Sequence, residues 1–156
     1  MLDVGCGNGN LLFEVLKRKK ITTAGIDLSE KMIQEAKIRL DGEVDLKCGD
    51  SEHLPWKNNS FDIVTCTLSF HHYPDPRAVL NELRRVLTPG GKVIIADPWE
   101  PTPLRQIANL IIPLLKNGDV KIYSKSEMKD LLEECGFTLI SWELGASAFI
   151  LVATAI

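Results

Sequence analysis

The sequence predicts an α/β fold: a doubly wound, seven-stranded sheet, mostly parallel, with one antiparallel strand in a C-terminal hairpin. Three observations carry this. Leu2-Asp3-Val4-Gly5-Cys6-Gly7-Asn8-Gly9-Asn10 is a strand that runs straight into a glycine-rich turn and then an amphipathic helix. Strand and helix signals alternate from there to residue 135. Two last apolar runs are joined by only a short Leu-Gly-Ala turn, a spacing that forces an antiparallel pair.

Taken in order, Met1–Val4 is a short strand and Asn10–Lys19 a helix with Leu11, Leu12, Val15 and Leu16 on one stripe. The basic run Lys17-Arg18-Lys19-Lys20 falls where that helix ends and complements its dipole. Ile21–Ile26 is a second strand. Ser29 caps a helix carrying Met32, Ile33, Ala36 and Leu40 on one face. Val44–Cys48 and Phe61–Thr67 are the third and fourth strands. Asp75-Pro76 places an N-cap before proline at the first helical position, opening a helix that buries Val79, Leu80, Leu83, Val86 and Leu87. Pro89-Gly90-Gly91 ends it, and Lys92–Ala96 is the fifth strand. Ser124–Cys135 is a helix with a capping box in Ser124 and Glu127 and a stop at Gly136. Phe137–Glu143 and Ser147–Thr154 form the hairpin. Between them and the fifth strand, Pro98–Tyr123 carries a helical stripe of Leu104, Ile107, Ala108, Ile111, Leu114 and Leu115, which Pro113 kinks or ends. Two readings stay open for that stripe: a core helix on the sheet face, or a substrate lid or dimer contact.

The length of 156 residues suits one domain spanning 1–156. A net charge of −3 gives no electrostatic case for nucleic acid. Cys6, Cys48, Cys66 and Cys135 form no CxxC pair. Three of them fall in strands or the glycine turn, as small buried thiols do, so no metal site and no disulfide is expected. No signal peptide and no membrane-spanning run is present, and a cytoplasmic setting is expected.

The glycine turn is a cradle for a small molecule at the mouth of a strand, since the following helix N-terminus favours an anionic group. Asp27 ends the second strand about 20 residues further on, where a carboxylate accepts both hydroxyls of a ribose diol. It would repel a 2′-phosphate. A dinucleotide fingerprint needs glycine at position 10, and the chain has Asn10.

At this point the sequence resembles the class I S-adenosylmethionine-dependent methyltransferases, with a Rossmann-like fold, and within them the group of ubiquinone and menaquinone C-methyltransferases. The resemblance rests on Leu2 to Gly9, Gly25-Ile26-Asp27-Leu28-Ser29-Glu30-Lys31-Met32 and Gly49-Asp50-Ser51-Glu52-His53-Leu54-Pro55. It continues through Ser60-Phe61-Asp62-Ile63-Val64 with Phe70-His71-His72-Tyr73-Pro74-Asp75, and Arg85-Val86-Leu87-Thr88-Pro89-Gly90-Gly91. What it implies is methyl transfer from S-adenosyl-L-methionine, leaving S-adenosyl-L-homocysteine, to a small-molecule acceptor. Gly5, Gly7 and the backbone of Cys6, Asn8 and Gly9 would hold the methionine moiety, with Asp3 near its amino group. Asp27 would clamp the ribose. Leu28 or Met32 would pack on the adenine face, Asp50 would accept from its amino group, and Gly49, Ser51 and Glu52 would line that pocket. Leu68, Ser69 and His72 would flank the sulfonium and the acceptor.

The cofactor carries a cationic sulfonium and no phosphate, and neither the turn nor the Asp50 loop contains Lys or Arg. In-line displacement from a sulfonium needs alignment and water exclusion first, and a base only if the acceptor must lose a proton. His71 and His72 are the candidate bases, His72 the better placed to line the pocket. Family members usually carry helices before the first strand. Here Met1 already occupies it, which leaves two alternatives: a truncated or internally started form, or a lid supplied by another segment, for which Pro98–Tyr123 is a candidate. Two other readings compete: a non-catalytic S-adenosylmethionine-binding protein, and a nicotinamide-dependent oxidoreductase. A homodimer is compatible with the sequence.

Overall fold

The computed structural model describes residues 1–42, 44–115 and 118–156. Its elements are β1 (Leu2–Val4), α1 (Asn10–Arg18), β2 (Ala24–Asp27), α2 (Glu30–Leu40), β3 (Asp45–Cys48) and β4 (Phe61–Thr67). There follow α3 (Pro76–Val86), β5 (Leu87–Pro98), α4 (Leu104–Ile111), α5 (Lys125–Glu134), β6 (Phe137–Leu144) and β7 (Ala148–Ala155). Single 3-10 turns lie at Phe70–His72 and Ile112–Leu114. The strands form one seven-stranded sheet in the order β3-β2-β1-β4-β5-β7-β6. Neighbours from β3 across to β5 pair in parallel, and β7 runs antiparallel to both β5 and β6. The hairpin is therefore present with its one reversed strand, which is inserted inside the sheet. The winding reverses between β1 and β4, and the crevice beyond their carboxyl ends is where such sheets bind ligands.

Local chemistry starts the helices where the sequence places the caps. The Ser29 hydroxyl accepts from the Met32 N–H at 3.3 Å, and the Asp75 carboxylate accepts from Arg77 and Ala78 at 3.1 and 3.0 Å. Ser124 and Glu127 form the reciprocal capping box. Each such cap stabilises its helix by about 1 kcal/mol. Apolar residues pack in two clusters. Leu80 and Leu83 of α3 and Met128 and Leu132 of α5 join Val64, Phe137 and Phe149 of the sheet. Leu12 of α1 packs with Ile33, Ala36 and Leu40 of α2 and with Cys6. Arg85 ties α3 to the segment before β4 by donating to the carbonyls of Leu54 and Trp56, both at 2.8 Å, while holding Glu82.

Four sequence expectations need correction. Helix α3 ends at Val86, before Pro89-Gly90-Gly91, which lie within β5. Leu87 is already extended and pairs with Phe61, and the register then jumps so that Ile63 faces Lys92. Proline and the glycines shape that irregularity, Gly90 at φ 75°. Strand β2 starts at Ala24, three residues late, because its parallel partner β1 offers only Leu2 to Val4 for pairing. The stripe is not a core helix: Leu104, Ile107, Ile111, Leu114 and Leu115 are exposed and Ala108 is half-buried; the neighbouring Leu110 is exposed too, and Ile112 beside Pro113 is buried. Cys48 is exposed on β3, while Cys6, Cys66 and Cys135 are buried, and all four thiols are free. Among the described residues no helix is long and apolar enough to cross a membrane.

Gly136 follows α5 at φ 77°, and a Cβ there would lie 2.7 Å from Arg84 Nε. Gly136→Ala is expected to lower stability by roughly 1–2 kcal/mol, through left-handed strain and displacement of Arg84. Urea denaturation at fixed pH checks this.

Candidate functional site

A cavity of about 480 Å³ opens at the carboxyl edge of β1–β4. Gly5 lines it from the turn after β1, Asp27 and Leu28 from the end of β2, and Asp50, Ser51 and Glu52 from the loop after β3. Ser69, His72, Tyr73 and Pro74 follow β4, and Gly118 completes the wall. No Lys or Arg is among these residues. A separate cleft of about 410 Å³, lined by Asn58, Asn81, Arg84 and Thr88 among others, lies at the amino ends of β4 and β5, away from the crevice.

Asp27 organises this edge. Its Oδ2 accepts from the Gly7 N–H at 2.8 Å and its Oδ1 from the Ser29 N–H at 2.9 Å, while its carbonyl accepts from Gly49 N–H at 3.0 Å. The Gly5 and Cys6 N–H groups both donate to Ile26 at 2.9 Å. Within the turn only Gly7 faces open space, with nothing within 4 Å of an added Cβ. A Cβ on Gly5 would strike Ser69 at 2.5 Å, and one on Gly9 would strike Leu40 at 2.8 Å. Gly9 therefore lets α1 meet α2. Cys6 turns its thiol into the α1–α2 cluster, and burial pushes its pKa up to about 12.

Across the cavity, the Tyr73 phenol stands 3.4 Å from the Ser51 hydroxyl and 3.3 Å from that of Ser69. Ser69 in turn donates to the Val4 carbonyl at 3.2 Å. Tyr73 thus bridges two loops, a role its place four residues after Ser69 would have suggested. Leu68 holds φ at 53°, an uncommon conformation for a branched side chain, with its N–H on the Ala96 carbonyl at 2.7 Å. Asp50 is exposed and uses Oδ1 to accept from the Glu52 N–H at 2.9 Å.

The other candidate residues lie off the cavity wall. Met32 is half-buried on α2, Gly49 and Leu68 adjoin the lining residues Asp50 and Ser69 without being among them, and Asn8 lies further along the turn. The two histidines differ in exposure and partners. His72 lines the cavity with 44% of its side chain exposed and its Nδ1 3.1 Å from the Gly118 carbonyl. His71 is 13% exposed and sits with Nδ1 2.9 Å from the buried Asp97 and Nε2 3.6 Å from Asp119. Burial works against the charged ring of His71, but the Asp97 hydrogen bond and the charges of Asp97 and Asp119 outweigh it and raise its pKa.

Asp3 lies beneath the turn, 2% exposed, accepting from the Thr65 hydroxyl at 2.7 Å. Burial pushes its pKa up to about 7, against the Thr65 hydrogen bond and with help from the charge of Asp27. The folded state thus keeps a proton on Asp3 where the unfolded chain, near 3.8, has lost it. That contribution to stability is complete below about pH 4 and disappears as pH rises through about 7. The stability of wild type relative to Asp3→Asn, from urea melts of ligand-free protein, is expected to fall across this window.

Comparison with known proteins adds identity to the geometry. A family profile described as "Methyltransferase domain" matches residues 2–95. A demethylmenaquinone methyltransferase of Lactobacillus johnsonii is 34% identical, covering 94% of this chain and 72% of its own length. A 27-O-demethylrifamycin SV methyltransferase of Amycolatopsis mediterranei is 31% identical, covering 96% of the chain and 61% of its own length. A SAM-dependent methyltransferase from Aquifex aeolicus superposes with a TM-score of 0.79 at 25% identity, covering 99% of this chain and 81% of that one. The chain belongs to the methyltransferase domain family, within its S-adenosylmethionine-dependent class.

Proposed function

We propose that this chain binds S-adenosylmethionine in the cavity beside Asp27 and passes its methyl group to a small-molecule acceptor. One observation carries the reading: residues from four strand ends meet around a cavity whose lining, among the described residues, contains carboxylates and no Lys or Arg. That lining suits a cationic ligand without phosphates. When bound, the cofactor supplies a methyl group on a positively charged sulfur, open to in-line displacement.

The chain's own contribution is binding and alignment. Each Asp27 oxygen spends one acceptor site on a backbone N–H and keeps another for a ribose hydroxyl. The open face of Gly7, with the backbone from Gly5 to Gly9, receives the methionine part. Asp3 lies beneath it, and a bound ammonium group would favour the charged form of its carboxyl. Asp50, Ser51 and Glu52, with Gly49, take the adenine edge, and Leu28 and Met32 cover its face. Leu68 and Ser69 flank the sulfur. His72 is the imidazole placed to accept a hydrogen bond from the acceptor, whereas His71 stands behind it.

The exposed α4 stripe is the acceptor's apolar wall in this reading. Asn109 of α4 bonds both the N–H and the carbonyl of Ile122 at 2.9 Å, and Val120 N–H donates to the His71 carbonyl at 2.8 Å. The segment is thereby tied to the loop after β4.

Calorimetry is expected to detect binding of both S-adenosylmethionine and S-adenosylhomocysteine. Asp27→Asn should weaken each by about 10- to 100-fold, the worth of one or two hydrogen bonds to a charged group. No heat from either compound at millimolar concentration would remove the proposal. The acceptors to assay first are demethylmenaquinone and 27-O-demethylrifamycin SV, the compounds for which the two relatives are named. With whichever is methylated, Leu110→Ser/Leu114→Ser should raise the acceptor KM several-fold and leave S-adenosylhomocysteine affinity unchanged. An unchanged KM would exclude α4 from the acceptor site.

A further inference from the structure

His71, His72 and Asp119 each bring one ligand atom into a group whose members all lie within 4.8 Å of one another. His72 Nδ1 is 3.2 Å from Asp119 Oδ1, and His71 Nε2 is 3.6 Å from the same oxygen. Two donors bound tetrahedrally to one ion, at metal–nitrogen lengths of about 2.0–2.1 Å, stand roughly 3.3 Å apart. The cluster is therefore close to ligating dimensions without an ion in it.

The backbone explains the convergence. The 3-10 turn Phe70–His72 sets the two imidazoles side by side, with ring centroids 3.9 Å apart. Val120 and Lys121 donate their N–H groups to the His71 carbonyl at 2.8 and 3.3 Å, which brings Asp119 alongside. A further observation comes from behind the cluster. Asp97 is 1% exposed and its Oδ1 sits 2.9 Å from His71 Nδ1. A neutral His71 that donates Nδ1–H to Asp97 keeps its Nε2 lone pair toward Asp119, where a metal ion would take it. A buried carboxylate on the far nitrogen is the support that metal-bound histidines usually have.

We propose that His71, His72 and Asp119 form a binding site for a divalent transition-metal ion, with Asp97 holding His71 in its ligating orientation. Two imidazoles and one carboxylate select ions of the Mn²⁺-to-Zn²⁺ series over Mg²⁺ and Ca²⁺, which prefer all-oxygen shells. Three protein ligands leave positions open for water or another oxygen donor. In the absence of metal His72 donates its Nδ1–H to the Gly118 carbonyl, and metal binding would release that proton and exchange the hydrogen bond for a ligand bond. His72 and Gly118 also line the cavity, so the ion sits in its wall. There it offers a Lewis acid to a hydroxyl or carbonyl oxygen of the acceptor, a consequence that rests on the methyl-transfer reading. The binding itself does not.

The test uses the full chain, carrying Cys48→Ser to remove the exposed thiol as a competing ligand. Metal-free protein is titrated with Co²⁺, following the visible bands, and with Zn²⁺ by calorimetry. One equivalent is expected to bind. Asp119→Asn should weaken it at least about tenfold, and Asp97→Asn about 10- to 100-fold with a shift in the cobalt bands, although Asp97 touches no metal. Far-UV circular dichroism and the urea midpoint report that each variant is folded. No saturable binding at millimolar Co²⁺ or Zn²⁺ overturns the proposal, as does binding that survives His71→Gln/Asp119→Asn. Because the readout is metal uptake without cofactor, its failure leaves the methyl-transfer reading standing, and the converse also holds.

Discussion

The candidate site depends on one residue at the end of β2. Asp27 holds the glycine turn through Gly7, the start of α2 through Ser29 and the loop after β3 through Gly49. It can reach all three because β2 lies between β1 and β3, so its carboxyl end is adjacent to both neighbouring loops. Two of the three bonds end on a carboxylate, and hydrogen bonds to charged groups contribute about 1.5–3 kcal/mol each. The carboxylate is also prevented from rotating. A ligand that bonds its remaining acceptor sites meets a group already oriented, which lowers the entropic cost of association.

A second brace closes the opposite wall. The Tyr73 phenol joins the loop after β3 to the loop after β4, and Ser69 fastens the latter to β1. Burial and the neighbouring Cys66 raise the pKa of that phenol far above its ordinary value, so it remains a neutral hydroxyl able to donate and accept. Between the braces, Leu68 holds a left-handed backbone that costs about 1 kcal/mol or more. The Ala96 carbonyl secures it from β5. Strain of this kind at the carboxyl end of a central strand is typical of positions where the chain must turn a side chain toward a ligand.

Residues whose chemistry is local were legible in the sequence. Ser29, Asp75-Pro76 and the Ser124–Glu127 box act within a single helical turn, and each starts its helix where the pattern places it. The βα alternation and the short hairpin turn were enough for the sheet class. Readings failed where the outcome depends on a distant partner. Pro89-Gly90-Gly91 has the composition of a helix stop, yet the pairing of Leu87 with Phe61 draws it into β5. The α4 stripe is amphipathic, but periodicity shows which face is apolar and not what covers it. Likewise the GxGxG spacing looks like one device, while Gly5 clears Ser69, Gly9 clears Leu40 and only Gly7 opens outward. The different surroundings of His71 and His72, one bonded to buried Asp97 and the other half-open at the cavity, follow from a 3-10 turn and from a residue 26 positions on, beyond any local pattern.

The placement of β7 bears on how the fold is assembled during synthesis. β5 and β6 never touch as neighbours; the strand between them, β7, follows both in the chain. Until Ala148–Ala155 emerges, β5 presents an unpaired edge whose Val93 and Ile95 belong to the core. Such an edge is a template for pairing with other chains. Every site loop from Gly5 to Pro74 is translated long before that edge closes. The nascent chain therefore has its ligand crevice complete in sequence while its sheet is still open, and early ligand capture would have to occur on a partly formed scaffold.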